Sequence, residues 1–326
     1  KIIPAGSCGD VGIAGLTLGG GYGLFSRKFG LTCDSLEEIT MVDGKGNIIH
    51  SKDDPELLWA CKGAGNGNFG VITSLKFTLN KAPDFLQSRR FKIQNINTQK
   101  AKDILEQWFA ITANMPFSCF SAFVLNGHSL YILLTNCEKQ NAESEKVITQ
   151  LSSLVDKTVT GKPLPLSKAV SIFYGEKKPL YFKNASAGLY SNFDDISNFI
   201  ENVLQKVTST PDMIYQVNTL GGKIDDAGFS KASSYSHRGQ NYLSELQTYW
   251  RQESQTDKMV KAFEEVQQIF YSNGIKQQYR NYPDINLKNW ESAYYGENYH
   301  RLQKVKSKYD PQNIFRYEQS ITPVVN

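Results

Sequence analysis

The chain has 326 residues, enough for two domains and a sizeable core, and its 40% hydrophobic and 21% charged residues are ordinary for a globular protein. A net charge of +4, with Lys and Arg scattered and the alternating Lys304, Lys306 and Lys308 read as a solvated face, argues against a nucleic-acid partner. No apolar run approaches the roughly 18 residues of a membrane span, so no membrane partner is expected.

Lys1 to Asp10 show neither a starting Met nor a signal peptide, and opening on a Pro-Ala-Gly-Ser-Cys turn is what a fragment or processed piece is expected to do. Residues 1 to about 80 are rich in glycine and short β-like runs. Ile39 to Val42 reads as a strand, Asp43 to Asn47 as its turn and Ile48-Ile49 as the return. Pro55 to Ala60 reads as a short helix behind Asp53 and Asp54, and Val71 to Leu79 alternates as a strand. After Lys81-Ala82-Pro83 glycine thins out. Helical periodicity then marks Ala101 to Ala113, with Ile104, Trp108 and Ile111 on one face, and also Ser144 to Val155, Ile196 to Val207 and Met259 to Tyr271. Strands are expected at Phe120 to Val124, Tyr131 to Thr135, Met213 to Val217 and Tyr242 to Thr248, and a last helix at Asn298 to Lys308, stopped by Asp310-Pro311. The pattern predicts an α+β fold, an antiparallel sheet backed by helices.

Five cysteines (Cys8, Cys33, Cys61, Cys119 and Cys137) are widely spaced without a Cys-x-x-Cys pair, and the four histidines are isolated, so no metal site is expected. Apart from Cys8, they read as small buried hydrophobes. The densest chemical signal is the run from Gly12 to Gly23, in which seven of twelve residues are Gly or Ala. Such a loop lets the backbone approach a flat ligand, but it equally suits a tight turn between core strands. It is neither the Gly-x-Gly-x-x-Gly of a nicotinamide site nor a phosphate-loop motif.

The company of this run is specific. Pro4-Ala5-Gly6-Ser7-Cys8-Gly9-Asp10-Val11-Gly12 precedes it, and Arg27 to Asp34 follows. Then come Trp59 to Thr73, Tyr294 to Leu302 and Asp310 to Ile321. In this order they resemble the berberine-bridge-enzyme-like branch of the vanillyl-alcohol-oxidase (PCMH-type) flavoprotein superfamily, strongly over residues 4 to 79 and 279 to 322. The resemblance implies a split FAD-binding domain. Residues 1–80 would be its middle part, 81–280 a substrate domain, and 281–326 the return to the FAD domain. The family's pyrophosphate loop and flavin-linking histidine have no counterpart here, so FAD would be held by a histidyl link outside this chain and a thioether at Cys8. Other implied cofactor contacts are Gly6, Val11, Gly12, Gly15, Gly19, Gly20, Gly21, Tyr22, Gly23, Asn68, Gly70, Val71, Tyr294 and Asn298. Val11 matches the residue that leaves a void near the reactive flavin carbon in oxidases. Leu16 stands where plant members often carry histidine, a departure that weakens an argument for alkaloid chemistry.

The stretch Tyr279 to Leu287 resembles the family segment whose tyrosine takes a proton from substrate, and Tyr282 matches that tyrosine. Ser236 to Gln247 matches the strand lining the substrate face. Alternation puts Leu243, Glu245 and Gln247 on one side and Tyr242, Ser244 and Leu246 on the other. Glu245 is the expected acidic group, and Tyr242 and Gln247 the expected substrate contacts, with the register open by one residue. The Asn-Tyr-Pro-Asp form resembles microbial carbohydrate oxidases, and Trp108, Phe120, Tyr174, Tyr242 and Trp250 suit sugar stacking, although aromatics are usually core. The resemblance thus implies an FAD-dependent oxidase that takes hydride from an alcohol or hemiacetal carbon of a mono- or oligosaccharide and reduces molecular oxygen to hydrogen peroxide. Two alternatives stay open: an oxidase or dehydrogenase of secondary metabolites, and a fragment that binds no flavin. Secretion or a periplasmic location is implied by the family alone, and oligomeric state is not legible.

Overall fold

A hexapeptide between glycines forms the first helix of the chain. Ile13–Leu18 forms a helix inside what the sequence presents as a glycine loop, and the Thr17 hydroxyl donates to the Ile13 carbonyl at 2.7 Å. The computed structural model describes residues 1–171 and 180–324, and Tyr174 lies outside them. By contacts, residues 1–82, 222–238 and 279–326 form one unit, and 83–221 with 239–278 form another.

In the first unit, β1 (Leu36–Asp43) pairs antiparallel with β2 (Ile48–His50) and β3 (Gly70–Phe77). The β1–β2 turn is fixed by the Asp43 carboxylate, whose Oδ1 accepts from the backbone N–H groups of Lys45 and Asn47, each at 2.8 Å. Helix Pro55–Ala64 begins with Pro at its first turn and Asp54 as N-cap, accepting from Glu56 N–H at 3.0 Å. Residues 222–238, which the sequence reading assigns to the substrate domain, belong to this unit. The reason is a set of polar ties: Ser234 Oγ donates to the Ala60 carbonyl at 2.9 Å, Tyr235 N–H to Lys62 at 3.2 Å, and Arg238 pairs with Asp34 at 2.6 Å with both side chains buried.

The second unit is a seven-stranded antiparallel sheet. Its strands are β4 (Gln87–Ile93), β5 (Cys119–Asn126), β6 (Ser129–Asn136), β7 (Lys157–Thr160), β8 (Tyr181–Tyr190), β9 (Met213–Thr219) and β10 (Tyr242–Trp250), in spatial order β7-β4-β6-β5-β9-β10-β8. Helices Thr98–Thr112, Ala142–Ser153, Ile200–Ser209 and Thr256–Ser272 bury their apolar stripes against one face, joining Trp108, Phe123, Leu204, Tyr242 and Phe263 in one core. Trp108 and Tyr242 are therefore core residues, and Phe120 and Trp250, outside that cluster, are also buried, each of the four at most 6% exposed and not the exposed stacking surface their abundance suggests. Among the described residues no helix is long and apolar enough to cross a membrane.

Candidate functional site

The glycine run divides into an open part and a packed part. A Cβ at Gly12 or Gly15 would meet nothing within 4 Å. At Gly19, Gly20, Gly21 or Gly23 it would strike Asn281, Tyr235, Thr32 or Ala5, all closer than 3 Å. The first pair leaves backbone open to a flat ligand. The other four glycines are buried, a correction to their reading as cofactor contacts: protein atoms already fill the space beside them.

Around the open part lies a cleft of about 520 Å³ within the first unit. Its walls are residues 6–8, 11, 12, 15, 16 and 22 from the N-terminal segment, Asn66, and the turn 279–283. Six of the expected cofactor residues meet there: Gly6, Cys8, Val11, Gly12, Gly15 and Tyr22. Cys8 is an exposed free thiol, whereas Cys33, Cys61, Cys119 and Cys137 are buried. Val11 is 51% exposed, a large apolar side chain held at the cleft without protein cover. An open backbone, an accessible sulfur and an uncovered apolar side chain together fit the edge and face of a flavin ring.

Five expected cofactor residues stand elsewhere, and each has a local reason. Asn68 is fully buried; its amide donates to the Ala64 carbonyl at 2.8 Å, and its Oδ1 accepts from Ile321 N–H at 3.0 Å and the Tyr317 hydroxyl at 3.1 Å. It pins the C-terminal segment. Gly70 begins β3, where a Cβ would lie 2.4 Å from the Val42 carbonyl oxygen. Val71 is exposed on the same strand. The buried Tyr294 hydroxyl accepts from Asp284 N–H at 3.1 Å, and Asn298 donates to the Ser234 carbonyl at 3.0 Å.

Tyrosines crowd the wall opposite the glycines. The Tyr282 hydroxyl lies 2.5 Å from that of Tyr22, and both rings pack edge-on against Tyr279. Tyr279 differs from Tyr282 in what surrounds its oxygen. It is 1% exposed and accepts from Gly21 N–H at 2.9 Å and the Asn281 amide at 3.0 Å. Burial pushes its phenol up to about 12, against the pull of those donated hydrogen bonds. Tyr22, Tyr279 and Tyr282 all line the cleft, and the partner of the Tyr282 hydroxyl is another phenol, Tyr22. Arg280, between them in sequence, is clamped by neutral groups: it donates to Tyr295 at 3.1 Å and Tyr317 at 2.9 Å, with its guanidinium over the Tyr294 and Tyr317 rings. Asn66, Arg280 and Asn281 are wall residues that sequence reasoning did not single out. The Tyr-x-Asn-Tyr spacing around Asn281 was the available signal.

The remaining expected residues lie on β10 of the second unit. Tyr242 is turned toward the helices, its hydroxyl donating to the Phe109 carbonyl at 3.1 Å and lying 3.0 Å from the Thr112 hydroxyl, which corrects its reading as a substrate contact. Glu245 and Gln247 project from the other face, as strand alternation requires. Glu245 is buried and accepts from Asn184 at 3.0 Å; Gln247 is half-buried and accepts from the Tyr249 hydroxyl at 2.8 Å. A bulge against β8 falls between Ser244 and Glu245.

Comparison with known proteins gives a consistent set of relatives. Residues 278–322 match the family model "Berberine and berberine like", and residues 2–52 match an FAD binding domain model. The FAD-linked oxidoreductase YgaK of Bacillus subtilis is 30% identical, over 99% of this chain and 72% of that protein. Physcomitrella patens BBE-like 1 superposes with a TM-score of 0.89 at 21% identity, covering 100% of this chain and 73% of the other. A chitooligosaccharide oxidase superposes with a TM-score of 0.87 at 24% identity, over 99% of this chain and 74% of that one.

Proposed function

We propose that this chain, which belongs to the berberine-bridge-enzyme-like family of FAD-linked oxidoreductases, oxidises an alcohol or hemiacetal carbon of a mono- or oligosaccharide and delivers the electrons to oxygen as hydrogen peroxide. The observation that carries this reading is the Tyr282–Tyr22 hydroxyl pair at 2.5 Å, in a cleft shared with the exposed Cys8.

Hydride leaves a hydroxyl-bearing carbon readily when the hydroxyl proton leaves with it. Bound FAD supplies the acceptor for the hydride. The proton falls to Tyr282. A phenol has an ordinary pKa of about 10 and is a weak base alone. The Tyr22 hydroxyl, paired with that of Tyr282, donates to the Tyr282 oxygen and stabilises it when it is deprotonated. Cys8 is the proposed thioether attachment, and Val11 guards the oxygen approach. On the second unit, Glu245 is the proposed acidic group and Gln247 a proposed substrate contact.

A saccharide is favoured by the Asn281-Tyr282-Pro283-Asp284 form of the tyrosine turn and by Leu16, an apolar residue in the cleft wall where plant members often place histidine. The fold relative named as a chitooligosaccharide oxidase is in keeping with that choice. Peroxide release from the flavin-loaded full-length protein, measured on a panel of sugars and a panel of phenolic metabolites, tests it. Turnover confined to the sugars is expected; turnover confined to the phenolics would replace the substrate class, and flavin reduction without peroxide would replace the oxidase assignment.

A further inference from the structure

Asn281 stands between two tyrosines in sequence and between two walls of the cleft in space. Its amide nitrogen donates to the Leu16 carbonyl at 3.0 Å and to the Tyr279 hydroxyl at 3.0 Å. Its amide oxygen faces the Asn66 amide nitrogen at 3.4 Å, and Asn66 in turn donates to the Gly15 carbonyl at 2.8 Å. One carboxamide thus bridges the helix of the glycine run, the loop bearing Asn66 and the tyrosine turn. The orientation of the group is fixed by chemistry, because Leu16 O only accepts and must meet the nitrogen side.

Gly19 shows how tightly the bridge is seated. A Cβ there would lie 2.0 Å from Asn281 Oδ1 and 2.8 Å from Asn66 Oδ1. The Gly19 backbone has φ −106°, a conformation open to any residue. A side chain at this position is opposed by the space the two amides occupy, which must shift to admit it, and not by the dihedral angle.

We infer that Asn281 is a positioning residue: its carboxamide locks the tyrosine turn to the glycine-run helix and so holds Tyr282 in register with Tyr22 across the cleft. Tyr282 follows directly in sequence, so a shift of Asn281 moves the backbone that carries the base. The inference rests on the reading of Tyr282 as the proton acceptor. It adds that the geometry of that acceptor is set by an amide that does no chemistry itself.

Two variants test it independently in the flavin-loaded full-length protein. Asn281→Ala removes the bridge. Gly19→Ala leaves Asn281 in place and pushes its amide out with a methyl group. Both are expected to slow anaerobic flavin reduction, on the order of 10- to 100-fold for a misplaced reacting group, with KM changed much less. Both should alter the near-ultraviolet circular dichroism of the tyrosines in the same sense while leaving the far-ultraviolet spectrum unchanged. Each, combined with Tyr282→Phe, should be no slower than Tyr282→Phe alone, since a residue acting through Tyr282 has nothing left to position. Full additivity with Tyr282→Phe, or unchanged tyrosine dichroism in both variants, would overturn the inference. Should Tyr282→Phe itself reduce at the wild-type rate, the base assignment falls, and the dichroism of the two variants still decides whether the lock exists.

Discussion

Cys8 and Val11 meet the same cleft with exposed side chains, and their variants separate attachment from oxygen access. Cys8→Ala should abolish the thioether and leave any other flavin link intact. Peptide mass spectrometry of the loaded full-length protein checks this, and an unmodified Cys8 peptide in fully loaded wild type would remove the thioether. Val11→Leu adds bulk at a side chain that protein atoms leave uncovered. It should slow reoxidation by oxygen more than reduction by substrate, measured as two separate half-reactions in stopped flow. Equal slowing of both would make Val11 a packing residue only.

At the scale of elements, the C-terminal helix Tyr299–Tyr309 ends in a buried ion pair, which corrects the reading of Lys306 as part of a solvated face: Lys304 and Lys308 are exposed, and Lys306 turns inward. Lys306 Nζ lies 2.7 Å from Asp310, with both side chains fully buried, and also donates to the carbonyls of Asn68 at 2.7 Å and Phe315 at 2.6 Å. Removing one partner of such a pair strands the other. Lys306→Met should therefore destabilise by about 3–5 kcal/mol, read from denaturant midpoints at constant slope. A change near zero would mean that the Ile314 and Phe315 backbone N–H groups, each 2.8 Å from the Asp310 carboxylate, suffice alone. Most elements are legible in the sequence where periodicity is clean, as in Thr98–Thr112 with Ile104 and Trp108 inward. Others are masked by composition. Helix Ile13–Leu18 hides among glycines; β4 hides because Arg89, Arg90 and Lys92 surround its inward Phe91; and β8 hides because Asn184 and Gly188 dilute its pattern. The site is legible only in part for a related reason. Motif matching finds Cys8, Val11 and Tyr282, but it cannot tell Gly12, which faces space, from Gly21, which faces Thr32, or Tyr282 in the cleft from Tyr294 beneath it. That distinction is made by tertiary packing.

Over the whole molecule, buried phenols tie stability to alkaline pH. Burial pushes Tyr279 and Tyr295 up to about 12. In the unfolded chain a tyrosine ionises near about 10, so the contribution of these groups is fully present below that pH and is lost as pH rises toward 12. Urea midpoints should thus fall between about pH 10 and pH 12, and Tyr295→Phe, which removes one of the ionising groups, should flatten the fall. An unchanged slope would show that the Tyr295 phenol does not titrate with unfolding.

The account as a whole requires that cofactor, substrate and base meet in the cleft between the glycine run and the tyrosine turn. Anaerobic reduction of the flavin-loaded full-length protein by an active sugar, followed across pH for wild type and Tyr282→Phe, tests this most directly. The variant keeps the ring and loses only the phenolic oxygen. Reduction should slow by about 100- to 10,000-fold, the usual contribution of a positioned base, with flavin content unchanged and the pH dependence of the wild type abolished. Reduction of Tyr282→Phe at the wild-type rate, with the wild-type pH profile, would contradict the account.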